Sequence, residues 1–328
     1  MILKSAIALA SPGGGRARLS VLIYHRVLPA PDPRRPTLPD MARFDQQLCW
    51  LKAYFRVLPL AEATQRLHDG SLPARAAAIT FDDGYADNYT CALPVLRKHG
   101  LHATFFIATG YLDGGVMWND ALSHCIHTTQ RTSLDASAHG LGRIELGTGL
   151  DRIATLQKLN TAIKHLPFAE RAAAVEAICN AVDVVPPTDR MMTTDQLRAL
   201  HAAGMGIGGH TVWHPILAQC TDQVAWQEMS EGARWLQDIL GERIQLFAYP
   251  NGKPGIDYLP QHVRMARELG LQAAFTTSIG VGGAWDDPFQ LPRFLPWDRK
   301  QVLFGMRMLR NLRTGSVPSA LRTDMPMS

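Results

Sequence analysis

The stretch Ile79-Thr80-Phe81-Asp82-Asp83-Gly84-Tyr85 decides the fold. Residues 76–79, which lead into it, are apolar and of strand length, so they read as a buried strand. A buried strand that stops on paired acids delivers them to a sheet edge, where α/β proteins keep their ligand sites. Adjacent carboxylates repel each other unless a cation or a proton relieves them. A metal held by one would leave the other ionised and able to act as a base. The same Asp-Asp-Gly also reads as a turn with a helix cap, which explains one acid and leaves its neighbour unexplained.

Working outward, the same rhythm repeats. Residues 19–24 form a first buried strand that delivers His25, and residues 57–58 a short one. Further strands follow at 103–107, 205–208, 246–248, 273–276 and 291–295. Helices fall between them. Asp40 caps one with Phe44, Leu48, Leu51 and Phe55 on one face; others span 60–68, 194–203, 222–240 and 263–269, most of them closed by glycine. Strands alternating with helices imply a parallel sheet, and about seven such units imply a closed or nearly closed α/β barrel. Residues 111–190 break the rhythm. They are alanine-rich, read as helices with Ile153, Leu156, Leu159 and Ile163 on one face, and are interrupted by Pro167 and Pro186-Pro187. We read them as a helical insertion.

The candidate site residues follow predicted strands: His25, Asp82-Asp83, His210 and His214, residues 249–252, and Arg293. In a parallel barrel those ends share one rim. His210-x-x-x-His214 supplies two imidazoles, and the glycines before it let the backbone turn. Two histidines and a carboxylate leave a coordination position open, as in catalytic zinc sites. Taken alone, that histidine spacing also arises by chance on a loop. His25 equally reads as a structural histidine bonded to a backbone carbonyl.

Bulk composition narrows the function classes. Over 328 residues, 46% are hydrophobic and 19% charged, which suits a globular protein with a sizeable core. The net charge of +4 is mild and spread along the chain, so we expect no nucleic-acid partner. Five scattered cysteines without a C-x-x-C spacing fit a reduced compartment. No stretch reaches the ~20 apolar residues of a membrane span. The apolar segment in residues 1–10 is shorter than the ~7–15 residues of a signal-peptide core. We therefore expect residues 1–18 to be a flexible leader and the protein to be cytoplasmic, with a place at the inner face of the membrane as the second reading.

Thr80-Phe81-Asp82-Asp83-Gly84 and His210-Thr211-Val212-Trp213-His214-Pro215 resemble the first two motifs of the polysaccharide deacetylases, carbohydrate esterase family four, with its NodB homology domain. Tyr24-His25-Arg26-Val27 and Phe247-Ala248-Tyr249-Pro250-Asn251-Gly252 are similar to members as well. The resemblance covers roughly residues 19–110 and 191–298. It implies a distorted (β/α) barrel and metal-dependent removal of acetyl groups from N-acetylated sugars. It implies that Asp82 is the catalytic base and that Asp83, His210 and His214 hold a divalent metal, zinc. Tyr249, Pro250 and Asn251 correspond to the substrate and oxyanion loop.

Two departures bear on mechanism. Ala248 stands where the family has an arginine that pairs with the base, and Asn251 where it has a tyrosine. Arg293 stands where the last motif usually has a histidine acid. We expect Arg293 to supply the charge that Ala248 lacks, and His25, or Asp82 returning its proton, to serve as the acid. The substrate expected is an N-acetylated sugar polymer or a lipid-linked glycan. A non-catalytic sugar-binding relative, or a metal hydrolase of a small cyclic amide, is the alternative. Residues 299–328 read as a basic amphipathic helix and tail. It either packs on the sheet or, through residues 299–322, makes peripheral contact with an anionic membrane.

Overall fold

The computed structural model describes residues 2–294 and 298–314. Met1–Leu112 and Met192–Ser328 make one compact unit, and Asp113–Met191 a second. The first begins with α1 (Ile2–Ala10), β1 (Arg18–Tyr24), α2 (Met41–Tyr54), β2 (Arg56–Val57), α3 (Leu60–His68), β3 (Ala76–Phe81), α4 (Leu93–His99) and β4 (Thr104–Ile107). The second comprises α5 (Trp118–Thr128), β5 (Ser133–Asp135), β6 (Arg143–Glu145), α6 (Gly149–Ile163) and α7 (Phe168–Ala181). The first then resumes with α8 (Thr194–Ala202), β7 (Gly206–Gly209), α9 (Asp222–Leu240), β8 (Leu246–Ala248), α10 (Pro260–Glu268), β9 (Ala273–Phe275), β10 (Gly282–Gly283) and α11 (Gln301–Asn311).

The sheet order is β10-β1-β3-β4-β7-β8-β9, with β2 beside β3. All neighbours are parallel except β10, which runs antiparallel to β1. Of the strand expected at 291–295, residue 295 lies outside the described residues and 291–294 do not form a continuous strand. Residues 291–294 instead bridge β9 and β1 at single points, Phe275 to Leu291 and Leu22 to Phe294. The sheet thus curls into a barrel closed by a seam, and that seam carries Arg293.

Side chains alternate across a strand, so residue parity decides what enters the barrel. Ala76 and Ala78 of β3 cluster with Val21, Phe106, Ala248 and Phe275 on the inner face. Ala77, Ile79 and Phe81 cluster with Tyr24, Phe105 and residues of α2 and α4 on the outer face. Thr80 and Asp82 share the parity of Ala76 and Ala78, which turns them inward.

Two expectations change here. The leader is helical rather than flexible. Leu3, Ile7 and Ala10 form a stripe, Ile7 is fully buried, and Leu3 and Ala10 pack against the same cluster. The segment Asp113–Met191 is not wholly helical: β5 and β6 pair as an antiparallel hairpin. It has its own core, from Leu122 on α5 to Leu159 on α6 and Ile178 on α7. In the C-terminal region α11 is described, whereas residues 315–322 lie outside the described residues.

Candidate active site

The backbone ladder ends at the first acid. Asp82 N–H donates to Tyr24 O at 2.9 Å, as one more rung beyond β3. Asp83 then leaves the sheet with φ +76° and Gly84 follows at +91°. Thr211, His214 and Asn251 also have positive φ, at +65°, +50° and +58°. Such residues cost about 1–3 kcal/mol each and persist only where their surroundings fix them. All four lie in the strand-end loops that carry the predicted site residues.

The histidine loop is shaped by its own threonine. Thr211 Oγ1 accepts from His214 N–H at 3.0 Å, which folds the loop back on itself. The two imidazoles consequently meet edge to face, with ring centroids 4.8 Å apart. Gly208 and Gly209 belong to β7 rather than to a turn. A Cβ on Gly208 would stand 2.5 Å from the Phe106 ring, so the glycine is required by the narrow barrel interior, not by flexibility.

Asp83, His210 and His214 bring ligand atoms within 4.8 Å of one another. Asp83 Oδ1 is buried without a hydrogen bond and lies 3.4 Å from His210 Nε2 and 3.5 Å from His214 Nε2. Two ligands about 2.0–2.1 Å from a tetrahedral ion are themselves about 3.3–3.4 Å apart. The donor set therefore fits a divalent metal. His210 Nδ1 is 2.7 Å from the Ala248 carbonyl oxygen, which turns Nε2 towards Asp83. Burial pushes the His210 imidazole down, but the carboxylates of Asp83 and Asp82 outweigh it and its pKa is raised. For Asp83, burial is outweighed by His210, His25 and His214, and its carboxyl is held well below the ordinary range. A second group of potential ligands, Asp45, Cys49 and His99, lies on α2 and α4, but there Lys98 Nζ already sits 2.7 Å from Asp45 Oδ1.

Asp82 meets Arg293. The guanidinium donates from Nη1 to Oδ1 at 2.6 Å and from Nη2 to Oδ2 at 2.8 Å. Two further donors are also placed: Nε to the Thr276 carbonyl at 3.1 Å, Nη1 to Thr80 Oγ1 at 3.2 Å. The guanidinium also lies over the Phe106 ring, 5.3 Å from its centroid. Burial favours the neutral acid, but Arg293, His210 and His25 together keep the Asp82 carboxyl below its ordinary value. His25 is exposed, and Asn88 Nδ2 donates to its backbone carbonyl at 2.8 Å.

The loop at 249–251 departs from expectation. Tyr249 is fully buried, stacks on Tyr258 at 4.0 Å and donates its hydroxyl to the Phe289 carbonyl at 3.1 Å. Its N–H is bonded to Phe275 O, so it presents neither group to a substrate. The hydroxyl found a partner inside the core, which sequence spacing does not reveal. Pro250 has no N–H to give. Asn251 is half-buried, and its N–H makes no backbone hydrogen bond among the described residues. Of the three, Asn251 alone remains a candidate oxyanion donor.

One residue had no signal in the sequence. Glu228 on α9 accepts from Val212 N–H at 2.9 Å and Trp213 N–H at 2.8 Å through one carboxylate oxygen. It anchors the loop between the two histidines from a helix that starts eight residues after His214.

Comparison with known proteins agrees with this geometry. The family model described as polysaccharide deacetylase matches residues 69–274. YxkH of Bacillus subtilis, which carries a polysaccharide deacetylase name, is 30% identical over 127 residues, 38% of this chain and 40% of that protein. The poly-beta-1,6-N-acetyl-D-glucosamine N-deacetylase of Staphylococcus aureus is 36% identical over 74 residues, 22% of this chain and 26% of its own. The matches thus span well under half of these relatives. Among solved structures, the Streptococcus pyogenes deacetylase PplD superposes with a TM-score of 0.62 at 20% identity, covering 91% of this chain and 100% of that one. IcaB from Ammonifex degensii gives 0.59 at 21%, covering 91% and 98%. Those two likenesses speak for the fold. The family model spans more than half of the chain and includes both the Asp82-Asp83 and His210/His214 motifs, so the chain belongs to the polysaccharide deacetylase family.

Proposed function

We propose that this protein is a metal-dependent hydrolase that removes N-acetyl groups from an amino sugar in a polysaccharide. One observation carries the reading: a three-donor metal group, Asp83, His210 and His214, adjoins a second carboxylate that Arg293 keeps ionised. Two imidazoles and a carboxylate suit zinc. A divalent ion held there supplies Lewis acidity and lowers the pKa of a water from about 15.7 towards 7.

The chain's own groups then account for the proton movements. Arg293 occupies one lone pair on each Asp82 oxygen and prevents the carboxylate from rotating. A remaining lone pair on Asp82 accepts a proton from the attacking water as its oxygen bonds to the acetyl carbon. The acetyl oxygen becomes an oxyanion, and the Asn251 N–H is the donor at hand; such a donor contributes about 3–4 kcal/mol. The C–N bond breaks as the sugar nitrogen takes a proton, from His25 or from Asp82. Acetate and the free amine leave.

The Staphylococcus aureus relative makes a poly-N-acetylglucosamine the first substrate to try. A lipid-linked glycan is the second reading, favoured by the exposed apolar and basic residues of α11. Acetate release from an N-acetylglucosamine oligomer, with and without added zinc, tests both the activity and the metal. Asp82→Asn is expected to lower turnover by about 10²–10⁴-fold at unchanged metal content. Alanine at Asp83, His210 or His214 is expected to remove the metal. No acetate release by the wild type under any metal would leave a sugar-binding role, and undiminished turnover of Asp82→Asn would remove Asp82 as the base.

A further inference from the structure

Two helices that the candidate site does not use lie against each other. A Cβ on Gly305 of α11 would come 2.6 Å from Leu3 Cδ2, so α1 rests directly on α11. The sequence of α1, Ile-Leu-Lys-Ser-Ala-Ile-Ala-Leu-Ala, is apolar almost all round. A helix of that kind is ordinarily buried on every side or in contact with lipid. Here only one side is covered. Ile2 and Leu9, two turns apart on the opposite face, are 88% and 85% exposed. On α11 the outward residues Val302, Leu303 and Met306 are 61%, 45% and 47% exposed.

Residues 1–31 and 299–323, which carry these helices, hold charge of one sign. Lys4, Arg299, Lys300, Arg310 and Arg313 are exposed, and no acid occurs in residues 1–31 or 299–323. Arg307 is excepted because it pairs with Asp298, Nη2 to Oδ1 at 2.9 Å. Where α11 ends, a shallow hollow is lined by Arg16, Arg18, Trp285 and Thr314, and Trp285 is 92% exposed. Asp286, the acid beside it, is tied to Gly283 N–H at 2.7 Å. Tryptophan is enriched at lipid–water boundaries, where its amphipathic ring sits at the headgroup level. No described helix is long and apolar enough to cross a membrane.

We propose that the outer faces of α1 and α11 dock the protein onto an anionic lipid bilayer. The aliphatic side chains enter the headgroup region while the cations meet lipid phosphates. A second copy of the chain is the poorer occupant. A two-fold contact through this face would set its cations against the same cations of the other copy. The proposal stands apart from the hydrolase reading, because docking needs no turnover.

The test is co-sedimentation of the full chain with phosphatidylcholine vesicles, with and without phosphatidylglycerol, at low and high salt. Binding is expected only with phosphatidylglycerol, and to fall as salt rises. Lys300→Gln and Arg310→Gln are each expected to weaken it about fivefold. Leu9→Glu combined with Met306→Glu changes only exposed positions. It should abolish binding while circular dichroism and the thermal midpoint stay unchanged. Negligible binding to both vesicle types at low salt would overturn the proposal, as would undiminished binding of the double variant. A wild-type dimer in light scattering that the double variant dissociates, without vesicle binding, would assign the face to a second copy instead.

Discussion

Asp82 and Arg293 face each other almost without solvent, at 2% and 0% exposure. Removing one partner of a buried pair leaves the other uncompensated, at a cost of about 3–5 kcal/mol. Arg293→Ala should therefore lower unfolding stability by that order, measured by urea titration. It should also raise the Asp82 pKa, since burial then acts unopposed by the guanidinium, and move the acid limb of the pH–rate profile upward. Arg293→Lys should prevent only part of this, lysine having no planar fork to reach both oxygens. The pair's own contribution is present above the ordinary carboxylate range and is lost as pH falls through the lowered value. Glu228 acts at one remove. Glu228→Ala should weaken metal binding about 10–100-fold by freeing the loop between His210 and His214, while Glu228→Gln, which still accepts both N–H groups, should largely restore it. Competition titration with a chelator reads both. Asp82, Asp83 and the two histidines were legible because their chemistry is written in residue type and spacing. Glu228 was not, because a helical glutamate far along the chain looks like any solvated one.

Strand β7 carries three glycines in four residues because Phe106, Phe247 and Thr104 fill the space their side chains would take. Sequence reading placed a strand at 205–208 but gave the glycines just before His210 the role of letting the backbone turn, since glycine in isolation signals freedom more often than crowding. Strands and helices with clear apolar periodicity were found within a residue or two, as for β8 and α9. The seam at 291–294 and the hairpin β5–β6 were misjudged, because bridges that short leave no periodic pattern. Helix α10 makes a separate prediction. His262 is buried, and its Nδ1 accepts the Leu259 N–H at 3.0 Å, so it is neutral. Burial lowers its pKa to about 4, against the opposing pull of Asp222. A base depressed in the folded state contributes stability that is full above about 6.5 and is lost as pH falls towards 4. Urea midpoints should drop over that window in the wild type and drop less in His262→Gln.

Trp118 is the only one of the seven tryptophans within Asp113–Met191. Fluorescence therefore reports chiefly on the barrel unit, whereas circular dichroism reports on the helices of both. Each unit has its own core, so the two signals should unfold at different midpoints. Coincident curves would mean that the units unfold as one. The barrel was readable from its alternating elements, but the separate core of the second unit was not, because a helical insertion and a helical domain share one periodicity. The seam has a further consequence. Residues 291–294 are held to their neighbours by a few backbone bonds, among them Ile23 N–H to Phe294 O at 3.0 Å and Thr276 N–H to Leu291 O at 2.9 Å. Across that sparse join, the Arg293 fork clamps onto Asp82 at the end of β3. The guanidinium is thus a latch as well as an electrostatic partner. A change at Arg293 that tunes the acidity of Asp82 also loosens or tightens the closure of the sheet, so at this position proton affinity and barrel integrity vary together.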